Sequence, residues 1–168
     1  SLMFGARSSS AQTQDPDARC ASCHRQIYES WKRTPMARAS GPAAEGFIPA
    51  DFTHAASGVH YRMELEHGQV WLSYERPGAA PDRALSGRQL LLYYLGSGRR
   101  GRTWIYQREG YWYEIPINWY AKKHIWDMTP NFLQTQSMPF TLPVDPGCLH
   151  CHASDVQASL PEARNKFA

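Results

Sequence analysis

The chain has 168 residues, a formal charge of +3, and 12 glycines and 12 prolines. That length fits one loop-rich domain whose modest core would gain from a bound organising group. The mild charge, without an arginine-rich helix or zinc-finger spacing, argues against a nucleic-acid partner, and no run of 18 apolar residues offers a membrane span.

Residues 1–16 read as the tail of a signal peptide or as a disordered arm. Ser9 and Ala11 are the small residues that a cleavage site prefers. One domain is expected over 17–168. It begins with Cys20-Ala21-Ser22-Cys23-His24, after which Arg25–Arg33 reads as helix, with Ile27, Tyr28 and Trp31 on one face. Thr34-Pro35 resembles an N-cap with proline at the first helical position, predicting a short helix through Ala39 until Gly41-Pro42 stops it.

A loop is expected over 41–52. Val59–Leu65 and Val70–Tyr74 alternate around a Glu66–Gln69 turn, which predicts a hairpin. Residues 77–87 read as a Pro/Gly-rich loop, and Leu90–Leu95 is an apolar run compatible with strand or buried helix. Thr103–Arg108, Glu109-Gly110 and Tyr111–Ile115 form the clearest hairpin, ended by Pro116. A short helix is expected around Trp119–Trp126, then an irregular, proline-punctuated stretch over 127–147. The last element is Cys148-Leu149-His150-Cys151-His152, on a helix expected to run through Val156 and Leu160 until Pro161. The predicted fold is therefore α+β, a small central antiparallel sheet with helical segments at both ends, each carrying one Cys-x-x-Cys-His string.

All four cysteines lie in two copies of Cys-x-x-Cys-His, the attachment pattern of c-type haem. Two thiols at this spacing reach the two vinyl groups of one porphyrin, and the following histidine lies under the iron. Structural zinc fits less well, because the two pairs are far apart and zinc gives no reason for both histidines. A thioredoxin-like pair would need a βαβ setting, and two local disulfides would leave the histidines unexplained. Two covalently bound haem c groups are thus expected, held by Cys20, Cys23, Cys148 and Cys151, with His24 and His152 as proximal ligands. Haem attachment of this kind takes place outside the cytoplasm, so an exported periplasmic or cell-surface protein is expected.

The residue opposite each proximal histidine tunes potential and reactivity. His67 falls in a turn, His60 at a strand start, and His150 within an attachment loop. His54, beside apolar Phe52, and Met36, just beyond the first helix, are the preferred distal candidates; His124, flanked by lysines, is a weaker one. Arg99, Arg100 and Arg102 form a basic patch suited either to solvent or to haem propionates, since a guanidinium fork fits carboxylates. The dense aromatics from Trp104 to Trp126 read as sheet core, some of them able to pack on a porphyrin.

Residues Cys20 to Ser40 resemble the first haem segment of multihaem cytochromes related to the tetrahaem cytochrome c-554 type. In that family Ser-x-His-Ala, whose histidine is a distal ligand, occupies the place of Thr34-Pro35-Met36-Ala37. The chain over about 20–155 is similar to haem domains of bacterial tetratricopeptide-repeat multihaem cytochromes. That likeness rests on Phe52-Thr53-His54, on Tyr94-Leu95-Gly96-Ser97-Gly98 with Arg99–Arg102, on the aromatic hairpin ending Ile115-Pro116, and on Trp126 and Pro130 before Cys148. The resemblance favours His54 over His124. The sequence holds no tetratricopeptide repeats, so their partner binding is not carried over. The expected role is an electron relay to or from a larger respiratory, photosynthetic or other membrane-associated redox complex. The alternative is a haem enzyme or gas/redox sensor with one open site.

Overall fold

A computed structural model describes residues 16–130, 132–138, 142–153, 156, 159 and 162–167. The leader-like stretch before Pro16 lies outside these residues, as do Leu160 and Pro161. The chain divides into two compact units, residues 1–34 and 35–168.

In the first unit a 3-10 turn, Pro16–Cys20, runs into helix α1, Ala21–Lys32. The helix is interrupted at His24, whose φ of −126° and ψ of 44° are not helical. It closes with Arg33 and Thr34 donating to the carbonyls of Ser30 and Trp31. Ile27 on this helix is 67% exposed.

The second unit corrects the expected fold class. Among the described residues the chain is mostly β, in two antiparallel sheets with one main helix, rather than one small sheet between helical ends. The first sheet joins β2 (Ala50–His54), β3 (Val59–Glu66), β4 (Gln69–Glu75) and β5 (Ser86–Leu91) in sequence order. The β3–β4 hairpin is as predicted, with its turn at His67 and Gly68, both at positive φ. The second sheet orders β1 (Ser40–Pro42), β6 (Tyr93–Leu95), β7 (Gly101–Arg108), β8 (Tyr111–Glu114) and β11 (Leu142–Pro143). Strand β9 (Ile117–Tyr120) pairs with the start of β7, and β10 (Ile125–Met128) with β9.

Two expected helices give way and a third is shortened, each for a local reason. Residues 35–38 form a turn, closed by Ala39 N–H donating to the Met36 carbonyl, and enter β1 directly. The Trp119–Trp126 segment is a hairpin, not a helix: its aromatics pair across strands, and His124 takes a φ of 53° that no helix permits. Helix α2, Pro146–His152, stops at His152 because Ala153 is extended, so it never reaches Val156. The Leu90–Leu95 run divides between β5 and β6.

The central strand β7 is buried on both faces. Trp104 and Tyr106 point into the larger core, with Tyr61, Leu72, Tyr94 and Ile115. Ile105 points the other way, into a second cluster with Leu95, Val144, Leu149 and Phe167, against which Trp112 and Cys148 pack. Period-2 alternation thus gives one strand two cores. Trp104 is fully buried and its Nε1–H donates to the Ala43 carbonyl at 3.0 Å, so neither its area nor its polar atom is lost.

The β6–β7 crossing depends on Gly96, which has a φ of +99° and where a Cβ would meet the Gly101 carbonyl oxygen at 2.5 Å. Gly68 also has positive φ, +80°, but open space around it. Gly96→Ala is predicted to cost roughly 3 kcal/mol, from left-handed strain plus backbone collision, and Gly68→Ala only about 1 kcal/mol. Urea unfolding of the two variants checks this, and equal losses would contradict the crossing described.

Candidate functional site

Helix α2 is built to hold the second cysteine pair in place. Asp145 is its N-cap, accepting from Gly147 N–H at 2.7 Å, and Pro146 occupies the first turn. Leu149, 3% exposed, anchors the helix in the second cluster. Cys148 and Cys151, three residues apart, share one side of the helix. Cys148 is half-buried and burial pushes its thiol pKa up, whereas Cys151 is exposed.

His152 is held by the turn leading into β1. Its Nδ1 lies 3.2 Å from the Ala39 carbonyl oxygen. A carbonyl only accepts, so Nδ1 carries the proton and Nε2 keeps its lone pair, the tautomer a metal ligand needs. Ser40 Oγ donates to the His152 backbone carbonyl from the same segment.

A cavity of about 420 Å³ opens beside Cys148 and His152, with Leu95, Trp119 and Tyr120 among its apolar walls. Thr103 and Glu114 line it too. Thr103 Oγ1 is a buried hydroxyl without a hydrogen-bond partner. Glu114 is held above the ordinary carboxylate range by burial, partly offset by His152. Paired thiols, an oriented imidazole, apolar walls and an orphaned hydroxyl together fit a covalently held haem.

The three arginines divide their roles. Arg99 is exposed, and Arg100, also exposed, lines the cavity. Arg102 lines it as well, but donates from Nε to the Gly96 carbonyl (3.1 Å) and from Nη1 to those of Glu45 (3.1 Å) and Gly46 (2.8 Å). Its guanidinium lies 3.9 Å from the Tyr94 ring centroid. Arg102 therefore clamps two loops, leaving Arg100 the freer group for an anion.

In the first unit Cys20, Cys23 and His24 are all exposed. Ser22 Oγ donates to the Arg19 carbonyl at 2.9 Å and lies 3.7 Å from Cys23 Sγ. The break in helical geometry at His24 sets its backbone apart from the rest of α1.

The distal candidates fall in different places. His54 ends β2, 5% exposed, beside a cavity of about 630 Å³ that Phe52 and Trp126 also line. Its Nε2 lies 3.0 Å from the Leu133 carbonyl oxygen, so Nε2 carries the proton, and Nδ1 accepts from Ser57 Oγ at 2.8 Å. Met36 is 67% exposed. His124 is exposed in the β9–β10 turn, edge-on to Trp119 at 5.9 Å. Neither His54 nor Met36 lines the cavity at Cys148. His60 is engaged by Asp51 at 2.9 Å, a surface pairing.

Ala39, Ser40, Thr103 and Glu114 are missed by sequence reasoning. Glu114 alone carries a signal, as a charge at a position of an aromatic hairpin that alternation turns inward.

Residues 19–47 match the family model described as "Cytochrome c554 and c-prime". The matched segment holds the first motif and runs through Met36, Ala39 and Ser40. No curated protein and no solved structure matches the chain. The match supports a c-type cytochrome, an electron-transfer haem protein with covalently bound haem c, of a kind typically exported. No helix among the described residues is long and apolar enough to cross a membrane.

Glu114 gives the site a pH signature. Its carboxyl pKa is raised on folding from an ordinary value of 4.5, so the folded chain binds the proton more tightly than the unfolded one. Its contribution to stability is therefore greatest below the unfolded pKa and is lost as pH rises through the folded one. Glu114→Gln is predicted to gain stability relative to the parent at pH 7 and not at pH 4. Urea midpoints of both proteins at both pH values check this; parallel pH profiles would contradict it.

Proposed function

We propose that this chain is an exported dihaem c-type cytochrome that relays electrons to or from a larger membrane-associated redox complex. The observation that carries the reading is the convergence at the second motif. Two thiols on one side of a capped helix, a histidine with its free lone pair on Nε2, and an apolar cavity all occur together. The family match over the first motif and its repetition of the same five-residue pattern support one haem at each end.

The haems would supply one-electron chemistry; the protein binds, orients and tunes. In this reading Cys20, Cys23, Cys148 and Cys151 form the thioethers, and His24 and His152 are the proximal ligands. The Ala39 carbonyl fixes the ring of His152, and Arg100 and the Thr103 hydroxyl are available to haem carboxylates. For the sixth position, Met36 is exposed and needs no bond broken. His54 would have to release the Leu133 carbonyl and move its proton to Nδ1. The relay partner would be a respiratory, photosynthetic or related complex, met in the periplasm or at the cell surface.

One observation favours a second reading for the second haem. Among its described lining residues the cavity offers no methionine and no histidine besides His152. An open coordination position there would make this end a ligand-binding site, as in a gas sensor or haem enzyme.

Pyridine haemochrome analysis and intact mass of protein exported by a host with haem-attachment machinery are predicted to give two haems per chain. Cys148→Ser/Cys151→Ser should leave one. A single haem in the parent chain would sink the dihaem reading. Carbon monoxide added to the ferrous protein then separates the two roles: no Soret change supports the pure relay, and a prompt shift lost in Cys148→Ser/Cys151→Ser supports the open site.

A further inference from the structure

The loop between β6 and β7 and the turn between β9 and β10 are brought side by side by the β7–β9 pairing. Gly101 stands opposite Tyr120 and Arg102 opposite Trp119. Ala121 N–H donates to the Arg100 carbonyl at 3.0 Å. This register gathers Arg99 and Arg100 from one segment with Lys122 and Lys123 from the other. All four are exposed, and among the described residues none of them forms an ion pair. Neither segment contributes an acidic residue between Gly96 and Arg102 or between Tyr120 and Ile125.

Position distinguishes this patch from an ordinary solvated loop. Arg100 and Tyr120 line the same cavity as Cys148 and His152. Arg100 therefore stands on the wall of the cavity assigned to the second haem, where an electron would leave or enter, and Arg99, Lys122 and Lys123 lie close by in sequence on the two lining segments that hold Arg100 and Tyr120. With these four cations set aside, the rest of the chain carries 14 basic and 15 acidic residues out of 18 and 15, so it has no positive excess of its own. Like charges gathered at a cleft focus the field and raise the encounter rate with anions.

We infer that this patch is a docking surface for an acidic redox protein, whose carboxylates would meet Arg99, Lys122 and Lys123 beside the cavity, with Arg100 kept for the haem carboxylates. The inference rests on the proposed haem at Cys148 and Cys151. A polyanion needing only positive charge would gain nothing from a haem cavity beside its contact, which favours a redox protein over an anionic lipid surface.

The test uses the haem-loaded full chain and Arg99→Gln/Lys122→Gln/Lys123→Gln, with Arg100 retained because it lines the cavity. Haem content is read from the visible spectrum first, so absent haem at the second motif counts against the proposed function rather than the docking surface. The reduced proteins are then mixed with ferricyanide, an anionic oxidant, and with the cationic tris-phenanthroline cobalt(III) complex. At about 10 mM salt, where screening is weak, the triple variant should react about tenfold more slowly with ferricyanide and no more slowly with the cobalt complex. Polyglutamate should slow the ferricyanide reaction of the parent and bind the variant less tightly.

Lys122→Gln/Lys123→Gln, confined to an exposed turn, should show part of the same loss and guards against a folding defect. Equal ferricyanide rates and salt slopes in parent and variants would overturn the inference. So would binding of phosphatidylglycerol vesicles through these residues without competition from polyglutamate.

Discussion

The carbonyl of Ala39 accepts two hydrogen bonds, and the arrangement of the second motif depends on it. Gly96 N–H donates to it at 2.6 Å, tying the start of β1 to the end of β6. His152 Nδ1–H donates to it at 3.2 Å, tying the last residue of α2 to the same point. One backbone oxygen thus joins the sheet edge to the candidate iron ligand. A buried carbonyl has two lone pairs to satisfy, and sharing them this way leaves the imidazole one tautomer and little rotational freedom. Ser40 Oγ reinforces the link through the His152 backbone.

Behind this contact lies the double burial of β7. One face packs Trp104 and Tyr106 into the main aromatic core, and the other supplies Thr103 and Ile105 to the side where α2 sits. A shift in β7 would disturb both cores at once, so the cavity wall has the rigidity of the sheet rather than of a loop. Arg102 extends this stiffness outward by bonding the 45–46 turn to Gly96. The two attachment motifs differ accordingly. The second belongs to a helix capped, anchored and oriented by a sheet. The first is carried on an exposed helix with its own break at His24. Haems in such unequal settings would differ in solvent access, and with it in potential.

Much of this was legible in the residues, and the failures have physical causes. The first Cys-x-x-Cys-His string points to haem attachment because its spacing suits two thioethers and a proximal histidine, and the family match covers that segment. The β3–β4 and β7–β8 hairpins show because their strands are long enough for alternation to register. Strands β1 and β6 have three residues each, too few for any period, and β1 exists because β6 pairs with it. The β9–β10 hairpin was hidden by Lys122-Lys123-His124, which has a helix-like composition but turns at the positive φ of His124. Sequence shows His54 only as a histidine beside apolar Phe52; its place at the end of β2 and its hydrogen bond to the Leu133 carbonyl are visible in the structure alone. Ala39 carries no side-chain signal at all, since its contribution is a backbone oxygen.

A haem bound at Cys148 and Cys151 would lie against the face of β6, β7 and β8 that carries Leu95, Thr103 and Glu114, with His152 held by Ala39. Electron density of the haem-loaded protein tests it most directly. The expected density shows porphyrin thioether-linked to Cys148 and Cys151, walled by Leu95, Thr103 and Trp119, with His152 Nε2 on the iron and Nδ1 still donating to the Ala39 carbonyl. A porphyrin lying away from that wall, or a His152 ring turned from Ala39, would contradict it.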